Sequence, residues 1–182
     1  MQTYISMLRG INVSGHKIIK MEALRTLYEK LGYDKVSSYI QSGNVVFRAE
    51  EHSEKKIAES ISTQIKKEFE FEVPVFVLSV QKLKKIIANN PFLKDAAKNE
   101  AFFHVTFLAG KPEQYSLELI EQKKQDDEII AFADDAIYLY CPNGYGKTKL
   151  HNTFLEAKLK VGATTRNWKT TKKLIEMAEG NS

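Results

Sequence analysis

The sequence predicts an α+β protein built from two tandem ferredoxin-like subdomains, each a β-α-β-β-α-β unit with helices on one face of an antiparallel sheet. Three observations support this prediction. Short runs of β-branched and aromatic residues alternate with segments of helical period. The same order of elements occurs twice, which indicates an internal duplication. A polar stretch at residues 89–99 separates the two copies.

The first subdomain, residues 1–89, contains every element of this unit. Gly32 is predicted to cap the first helix, Gly43 to lie in a hairpin turn with positive φ, and Ser53 to cap the second helix. The predicted elements are strands at residues 4–8, 36–40, 45–47 and 73–78, and helices at residues 21–31 and 53–69.

The second subdomain, residues 90–182, repeats the order less completely, and we expect it to form one compact unit with the first. Ser79 is predicted to cap a short connecting helix. Residues 164–167 are interpreted as a polar turn, with Asn167 as N-cap of a last, basic helix that takes the place of the final strand. The predicted strands are 102–108, 128–132 and 136–140, and the predicted helices begin near Pro112, Leu150 and Trp168.

Composition excludes several classes of protein. Hydrophobic residues make up 43% and charged residues 27% of the chain, which is typical of a folded globular domain. No apolar run approaches the ~20 residues that span a bilayer, and the N-terminus does not resemble a signal peptide. The single cysteine, Cys141, cannot form an internal disulfide. We therefore expect a cytoplasmic protein without a membrane partner.

Catalytic and metal-binding signatures are not found in the sequence. The four histidines lack the spacing of zinc ligands, and one cysteine cannot build a thiolate site. The acidic pairs at residues 126–127 and 134–135 flank a predicted hairpin, where they are expected to be solvated. We therefore expect no metal and no cofactor.

The positive charge is concentrated near the C-terminus. Residues 142–182 contain eight Lys and Arg against three Asp and Glu, a balance of +5, whereas the rest of the chain balances to −1 within the total of +4. Helix N-termini in this stretch would add unpaired backbone N–H groups. This stretch is therefore predicted to meet an anionic partner.

Four polar loops carry the candidate ligand-binding residues. The loop after residue 140 resembles a phosphate-binding P-loop, but the first required glycine is replaced by Cys141. Its glycines and lysines could still approach an anion, or could simply form a turn. Arg166 could grip a phosphate, or could pair with a surface acid while Trp168 anchors the helix. The predicted ligand-binding residues are Arg9, Asn12, Lys17, Gln41, Ser42, Asn44, Lys147, Lys149, Thr165, Arg166 and Asn167.

Motifs at both ends of the chain carry a family resemblance. LRGINV, IQSGNV, GYGKTKLHN and ATTRNW together resemble the bacterial domain-of-unknown-function 1697 family. The resemblance implies two ferredoxin-like subdomains in tandem, and it places the family's motif positions on the four polar loops. The resemblance does not indicate which biochemical activity the protein has.

Three functions remain open from the sequence. The first is a binding module for an anionic ligand, either nucleic acid or a phosphorylated small molecule. The second is an enzyme acting on a nucleotide or other phosphoester, with Lys147 and Arg166 neutralising charge and His16 or His151 moving protons. The third is a protein-interaction domain with a basic face. The oligomeric state cannot be predicted.

Overall fold

The computed structural model describes residues 1–113 and 115–181, which contain two four-stranded antiparallel sheets and six α-helices. The chain divides into two units. The first contains residues 1–84 together with the residues from Lys173 onward, and the second contains residues 85–172. This division differs from the predicted ranges 1–89 and 90–182. At both boundaries the chain passes from one unit to the other inside a helix, and polar composition does not mark such a position.

The first unit has the predicted β-α-β-β-α-β order. Its strand order is β2-β3-β1-β4, and all neighbouring strands are antiparallel. Ser53 Oγ accepts the amide of Lys56 at 3.3 Å, which confirms the predicted N-cap. The elements are β1 (Gln2–Leu8), α1 (Met21–Lys30), β2 (Asp34–Tyr39), β3 (Asn44–Ala49), α2 (Glu54–Phe69) and β4 (Val75–Ser79).

Both helices of this unit share one buried core with one face of the sheet. Leu8 of β1, Leu27 of α1 and Ile61 of α2 all belong to this core. Ser6 lies on the same face as Leu8, and its Oγ is 2.7 Å from the hydroxyl of Tyr28. Burial raises the pKa of Tyr28, so this hydroxyl stays protonated and hydrogen-bonded in the folded protein.

Residues from Lys173 onward are tied to the first unit by polar contacts. Lys84 Nζ lies 2.9 Å from a carboxylate oxygen of Glu179. Asn181 Nδ2 donates to the carbonyl oxygen of Lys35 at 2.9 Å. These contacts join the chain's last helix to elements that precede it by about a hundred residues or more, a relation that local sequence patterns do not encode.

The second unit follows a connecting helix, α3 (Val80–Ala88), and two short 3₁₀ turns, Pro91–Lys94 and Glu100–Phe102. Its strand order is β6-β7-β5-β8, again antiparallel throughout. Its elements are β5 (Phe103–Leu108), α4 (Leu117–Glu121), β6 (Ile129–Phe132), β7 (Ala136–Tyr140), a 3₁₀ turn (Tyr145–Lys147), α5 (Asn152–Leu159), β8 (Ala163–Asn167) and α6 (Trp168–Gly180). Leu108, Ile120 and Leu155 share its core, so α4 and α5 cover the same face of the sheet.

The final strand of the second unit was predicted wrongly. Residues 164–167 form most of β8, an edge strand paired with β5, and α6 follows this strand instead of replacing it. The prediction failed because Thr, Arg and Asn in one short run resemble a polar turn. On an edge strand, polar side chains are common, since one side of the backbone remains unpaired.

Other observed helix boundaries differ from the predicted ones by only a few residues. The helix expected near Pro112 begins at Leu117, where Ser116 Oγ accepts the amide of Leu119 at 3.4 Å. The helix expected near Leu150 begins at Asn152. In the part of the chain that the structure describes, no helix is long and apolar enough to cross a membrane.

Candidate functional site

The two polar loops of the first unit, residues 9–17 and 41–44, are joined by the side chain of Asn12. Asn12 Nδ2 donates to the carbonyl oxygens of Ile19 at 2.9 Å and Gln41 at 2.8 Å. Asn12 Oδ1 accepts the amide of Ile19 at 2.8 Å. Both ends of the side-chain amide are therefore used to position backbone, which gives Asn12 a structural role.

Residues 12–17 form a hairpin with a two-residue turn. The turn residues Ser14 and Gly15 both have positive φ, of 51° and 77°, as in a type I′ turn. Lys17 Nζ donates to the carbonyl oxygen of Glu72 at 2.7 Å. The ammonium of Lys17 therefore contacts backbone that leads into β4.

The remaining predicted ligand residues of this unit lie around the second turn. Asn44 is buried, and its Nδ2 donates to the carbonyl oxygen of Tyr39 at 3.2 Å and to Ser42 Oγ at 2.9 Å. Arg9 is partly buried and its amide donates to Pro74, whereas Gln41 is exposed. The structure thus brings these two loops together within the unit, and it uses Asn44 and Ser42 to hold the turn.

The glycine-rich loop after β7 exposes its lysines. Gly144 has φ of +90°, and Lys147 and Lys149 are both exposed. His151 is the N-cap of α5, since its Nδ1 accepts the amide of Phe154 at 3.3 Å. One of the two histidines suggested as proton carriers therefore serves as a helix cap.

Thr165 lies in a chain of side-chain hydrogen bonds. Its Oγ1 is 2.7 Å from Thr106 Oγ1 on β5 and 2.7 Å from Asn152 Oδ1 at the start of α5. This chain ties the edge strand β8 to its neighbouring strand and to the helix above it.

Arg166 also bonds within its own strand. Its Nη1 donates to Thr164 Oγ1 and to the carbonyl oxygen of Thr165, both at 2.9 Å. Burial lowers the pKa of Arg166 to about 10, and the guanidinium is therefore still charged at neutral pH.

A cavity of about 560 Å³ opens in the second unit, beside the glycine-rich loop and the start of α6. This volume lies within the ~300–1,000 Å³ range of small-molecule sites. Of the predicted ligand residues, Asn167 alone contributes to its lining. The cavity is lined by Glu100, Ala101, Phe102, His104, Gly144, Tyr145, Asn167, Trp168, Lys169 and Lys172.

Aromatic rings form one part of the cavity lining. The rings of His104 and Tyr145 are stacked, with centroids 4.8 Å apart and an angle of 21° between their planes. His104 Nδ1 lies 3.3 Å from the carbonyl oxygen of Phe102, to which it can only donate. Burial lowers the pKa of His104, so the neutral ring carries its proton on Nδ1 at neutral pH and leaves Nε2 as an acceptor.

Charged side chains form another part of the lining. Lys169 and Lys172 are both exposed on the first turns of α6. Lys172 Nζ lies 2.5 Å from a carboxylate oxygen of Glu100. The ammonium of Lys172 is therefore paired with a carboxylate at this edge of the cavity.

The start of α6 forms the junction between these two parts. Asn167 Oδ1 accepts the amide of Thr170 at 2.8 Å, confirming Asn167 as the helix N-cap. Trp168 is 2% exposed, and its indole N–H finds no acceptor among residues 1–113 and 115–181. A buried donor without a partner costs roughly 1–3 kcal/mol, and the indole nitrogen has essentially no surface exposed to the cavity.

Nine of the ten lining residues were not among the predicted ligand residues, and these nine include Glu100, Phe102, His104 and Lys172. Phe102 and His104 lie at the start of a predicted strand, and Lys172 is one helical turn beyond Lys169. The available signal was the i, i+3 spacing of the two lysines on the predicted last helix. No comparable signal links Glu100 to Lys172, which is 72 positions away.

Metal-binding clusters are not found in the described part of the chain, where no three His, Cys, Asp or Glu side chains are grouped for a metal ion. The groups that line the cavity include aromatic faces, one neutral imidazole, two ammonium groups and the Glu100 carboxylate.

Comparisons with known proteins identify a family without assigning an activity. The family described as "Protein of unknown function (DUF1697)" matches residues 1–138. A solved structure, of a conserved bacterial protein SP0830 from Streptococcus pneumoniae, is similar with a TM-score of 0.72 and 27% identity, covering 97% of this chain and 98% of that one. No curated protein matches the sequence. Because the family match spans more than half of the chain, the protein belongs to the DUF1697 family.

Proposed function

We propose that this protein binds a small anionic molecule, such as a phosphorylated metabolite, in the cavity of its second unit. The observation that carries this proposal is the lining itself, in which Lys169 and Lys172 lie beside aromatic rings around a space of about 560 Å³. Ligand sites typically combine an apolar wall with a few charged groups that fix orientation. The positive end of the α6 dipole adds to the attraction for an anion.

The geometry favours a small ligand over the backbone of a nucleic acid. A protein that tracks a phosphate backbone needs a basic groove or stripe along its surface. Here two lysines converge on one bounded cavity, and Lys172 is already held by Glu100. We therefore keep nucleic-acid binding as the competing outcome of the test.

The test compares two pairs of lysines by isothermal titration with ribose 5-phosphate. Lys169→Gln with Lys172→Gln removes both cations of the cavity, and we expect affinity to fall by about tenfold or more, or roughly 1.4 kcal/mol. Lys147→Gln with Lys149→Gln is the matched control, since these exposed lysines do not line the cavity. Gln is nearly as good a helix former as Lys, so α6 is preserved.

The result of this test depends on which pair of lysines is needed for binding. An equal loss in both double variants, or a stronger response to oligonucleotides that weakens steeply with salt, would favour a backbone-binding surface and contradict the proposal. Loss confined to the Lys169 and Lys172 pair supports it.

Glu100 offers a gain-of-function variant for the same proposal. Its carboxylate competes with a ligand for Lys172, so Glu100→Gln should raise the affinity for ribose 5-phosphate several-fold, by about threefold to tenfold. Glu121→Gln, which removes an exposed acid of α4 outside the cavity, should leave it unchanged. A decrease in the Glu100 variant would show that the carboxylate contacts the ligand favourably and would count against an anion.

We also infer that both units are ferredoxin-like and arose by duplication of one ancestral unit. The support is that the element order and the strand order of the second sheet repeat those of the first. The one cysteine, Cys141, is a free thiol, which supports a reducing, cytoplasmic location.

A further inference from the structure

We infer that the ligand of this cavity is a nucleotide, with its base against the aromatic lining and its phosphate at the start of α6. The inference rests on the proposed function and specifies the chemical class of the ligand. It requires a flat ring, a hydrogen-bond donor on that ring and an anionic group to be recognised by different parts of one site.

The flat part of the ligand is indicated by the aromatic side chains. Phe102, Tyr145 and Trp168 all line the cavity, and Tyr145 is stacked on the ring of His104. Planar rings placed against such side chains gain stacking energy that a sugar phosphate does not. A purely aliphatic or sugar ligand would not gain this stacking energy.

The donor on the ring is indicated by His104. Because Nδ1–H donates to the carbonyl oxygen of Phe102, Nε2 of the neutral imidazole is an acceptor. An acceptor in the lining selects a ligand that presents an N–H group, as the edges of nucleobases do. A neutral ring also leaves recognition of the phosphate to the lysines.

The anionic part of the ligand is indicated by the two lysines of α6. Lys169 and Lys172 are one turn apart, and the Glu100 carboxylate on Lys172 shows how an oxyanion contacts this ammonium. The lining holds two ammonium groups, Lys169 and Lys172, against the one carboxylate of Glu100, so its positive charge exceeds its negative charge.

The experiment uses the intrinsic fluorescence of Trp168, the single tryptophan of the chain, as a reporter within the cavity. The full-length protein is titrated with AMP, with ribose 5-phosphate and with adenosine. We expect AMP to bind about tenfold more tightly than ribose 5-phosphate, and adenosine to bind more weakly than AMP. Calorimetry of the same pairs controls for absorption of light by the base.

Variants of Tyr145 show whether the aromatic lining causes this preference. Tyr145→Leu keeps an apolar side chain but removes the ring, and the tenfold preference for AMP over ribose 5-phosphate should disappear. Tyr145→Phe keeps the ring and should retain most of the preference. Thermal melts of both variants identify any loss of folded protein, and ribose 5-phosphate binding in Tyr145→Leu shows that the phosphate end is intact.

Each failure has a separate meaning. Equal affinities for AMP and ribose 5-phosphate would overturn the nucleotide assignment while leaving the anion proposal in place, whereas no binding of either would overturn both. Binding of adenosine as tight as that of AMP would overturn the anion proposal. A 5′-phosphorylated oligonucleotide that binds more tightly than AMP would overturn assignment to a free nucleotide.

Discussion

Gly43 lies where the two polar turns of the first unit meet, and its missing side chain is required there. Its φ is +73°, and an added Cβ would lie 2.7 Å from Leu8 Cβ and 2.8 Å from Ile11 Cδ1. Gly43 also accepts the amide of Leu8 through its carbonyl oxygen at 2.9 Å. The turn therefore packs directly on β1, and backbone conformation and close packing both demand glycine.

We expect Gly43→Ala to lower the free energy of unfolding by about 2–4 kcal/mol, because overpacking adds to the strain of a left-handed alanine. Gly10→Ala is a closely matched control. Gly10 has the same φ of +73°, but nothing lies within 4 Å of its added Cβ, so a loss of only about 1–2 kcal/mol is expected. Urea denaturation of both variants measures the difference, and equal losses would show that the contact with β1 is unimportant.

At the residue scale, the sequence predicted a positive φ for Gly43 correctly, because a hairpin turn with glycine has few alternatives. It could not separate residues that hold backbone from residues that face a ligand. Asn12 and Asn44 carry the side-chain amides expected of a binding loop, yet Asn12 bonds to neighbouring backbone and Asn44 bonds to the backbone of Tyr39 and to Ser42 Oγ. Side-chain type alone does not distinguish these uses, since the same donors serve both.

At the scale of elements, the junction of β8 and α6 combines folding and binding roles in Asn167. Its side chain caps α6, and the residue also lines the cavity. The cap contributes typically about 1 kcal/mol. An aspartate can make the same cap through a carboxylate oxygen, but it brings a negative charge to the site.

We predict that Asn167→Ala lowers the free energy of unfolding by about 1 kcal/mol, whereas Asn167→Asp leaves it unchanged or slightly raised. Both variants should bind ribose 5-phosphate less tightly, and the aspartate variant by the larger factor because of charge repulsion. Denaturation and calorimetry on the same samples separate the two effects. An aspartate variant that binds as well as the wild type would contradict the placement of the phosphate near this junction.

The strand β8 shows why element order was easier to predict than element type. The repeat of β-α-β-β-α predicted a sixth element after α5, but ATTRN has one buried alanine and otherwise polar side chains. Its threonines favour a strand, while the adjacent asparagine favours a cap. Pairing with β5 makes this segment a strand, and that pairing joins residues about 60 positions apart.

At the scale of the whole molecule, a buried thiol couples folding to alkaline pH. Burial, assisted by the nearby Glu128 carboxylate, raises the pKa of Cys141 to about 12 from an ordinary value of about 9. Between these two values the unfolded chain holds fewer protons than the folded protein. Stability is therefore fully present below pH 9 and falls as pH rises toward 12.

We predict that this loss reaches a slope of at most about 1.4 kcal/mol per pH unit for the one thiol. Cys141→Ala should flatten the dependence of unfolding free energy on pH above 9, although the variant starts from a lower stability because a buried group is removed. Other titrating groups are common to both proteins, so the difference in slopes isolates the thiol. Parallel curves would show that Cys141 titrates normally in the folded protein.

Across the whole molecule, the net charge of the C-terminal stretch indicated the half of the chain that contains the candidate site. It did not indicate which lysines take part. Lys147 and Lys149 stood out because they lie in a glycine-rich loop, whereas Lys169 and Lys172 line the cavity together with residues of the Glu100–Phe102 turn and β5. A cavity is assembled from distant segments, and its lining follows from strand order, which local motifs do not contain.

The most direct measurement is a backbone amide NMR titration of the full-length protein with ribose 5-phosphate. If the anion site lies in the cavity of the second unit, the perturbed amides will cluster at residues 100–104, 144–145 and 167–172, with residues 9–17 and 41–44 unchanged. Perturbations centred on the loops of the first unit, or spread along the exposed lysines without a cluster, would contradict the proposed site.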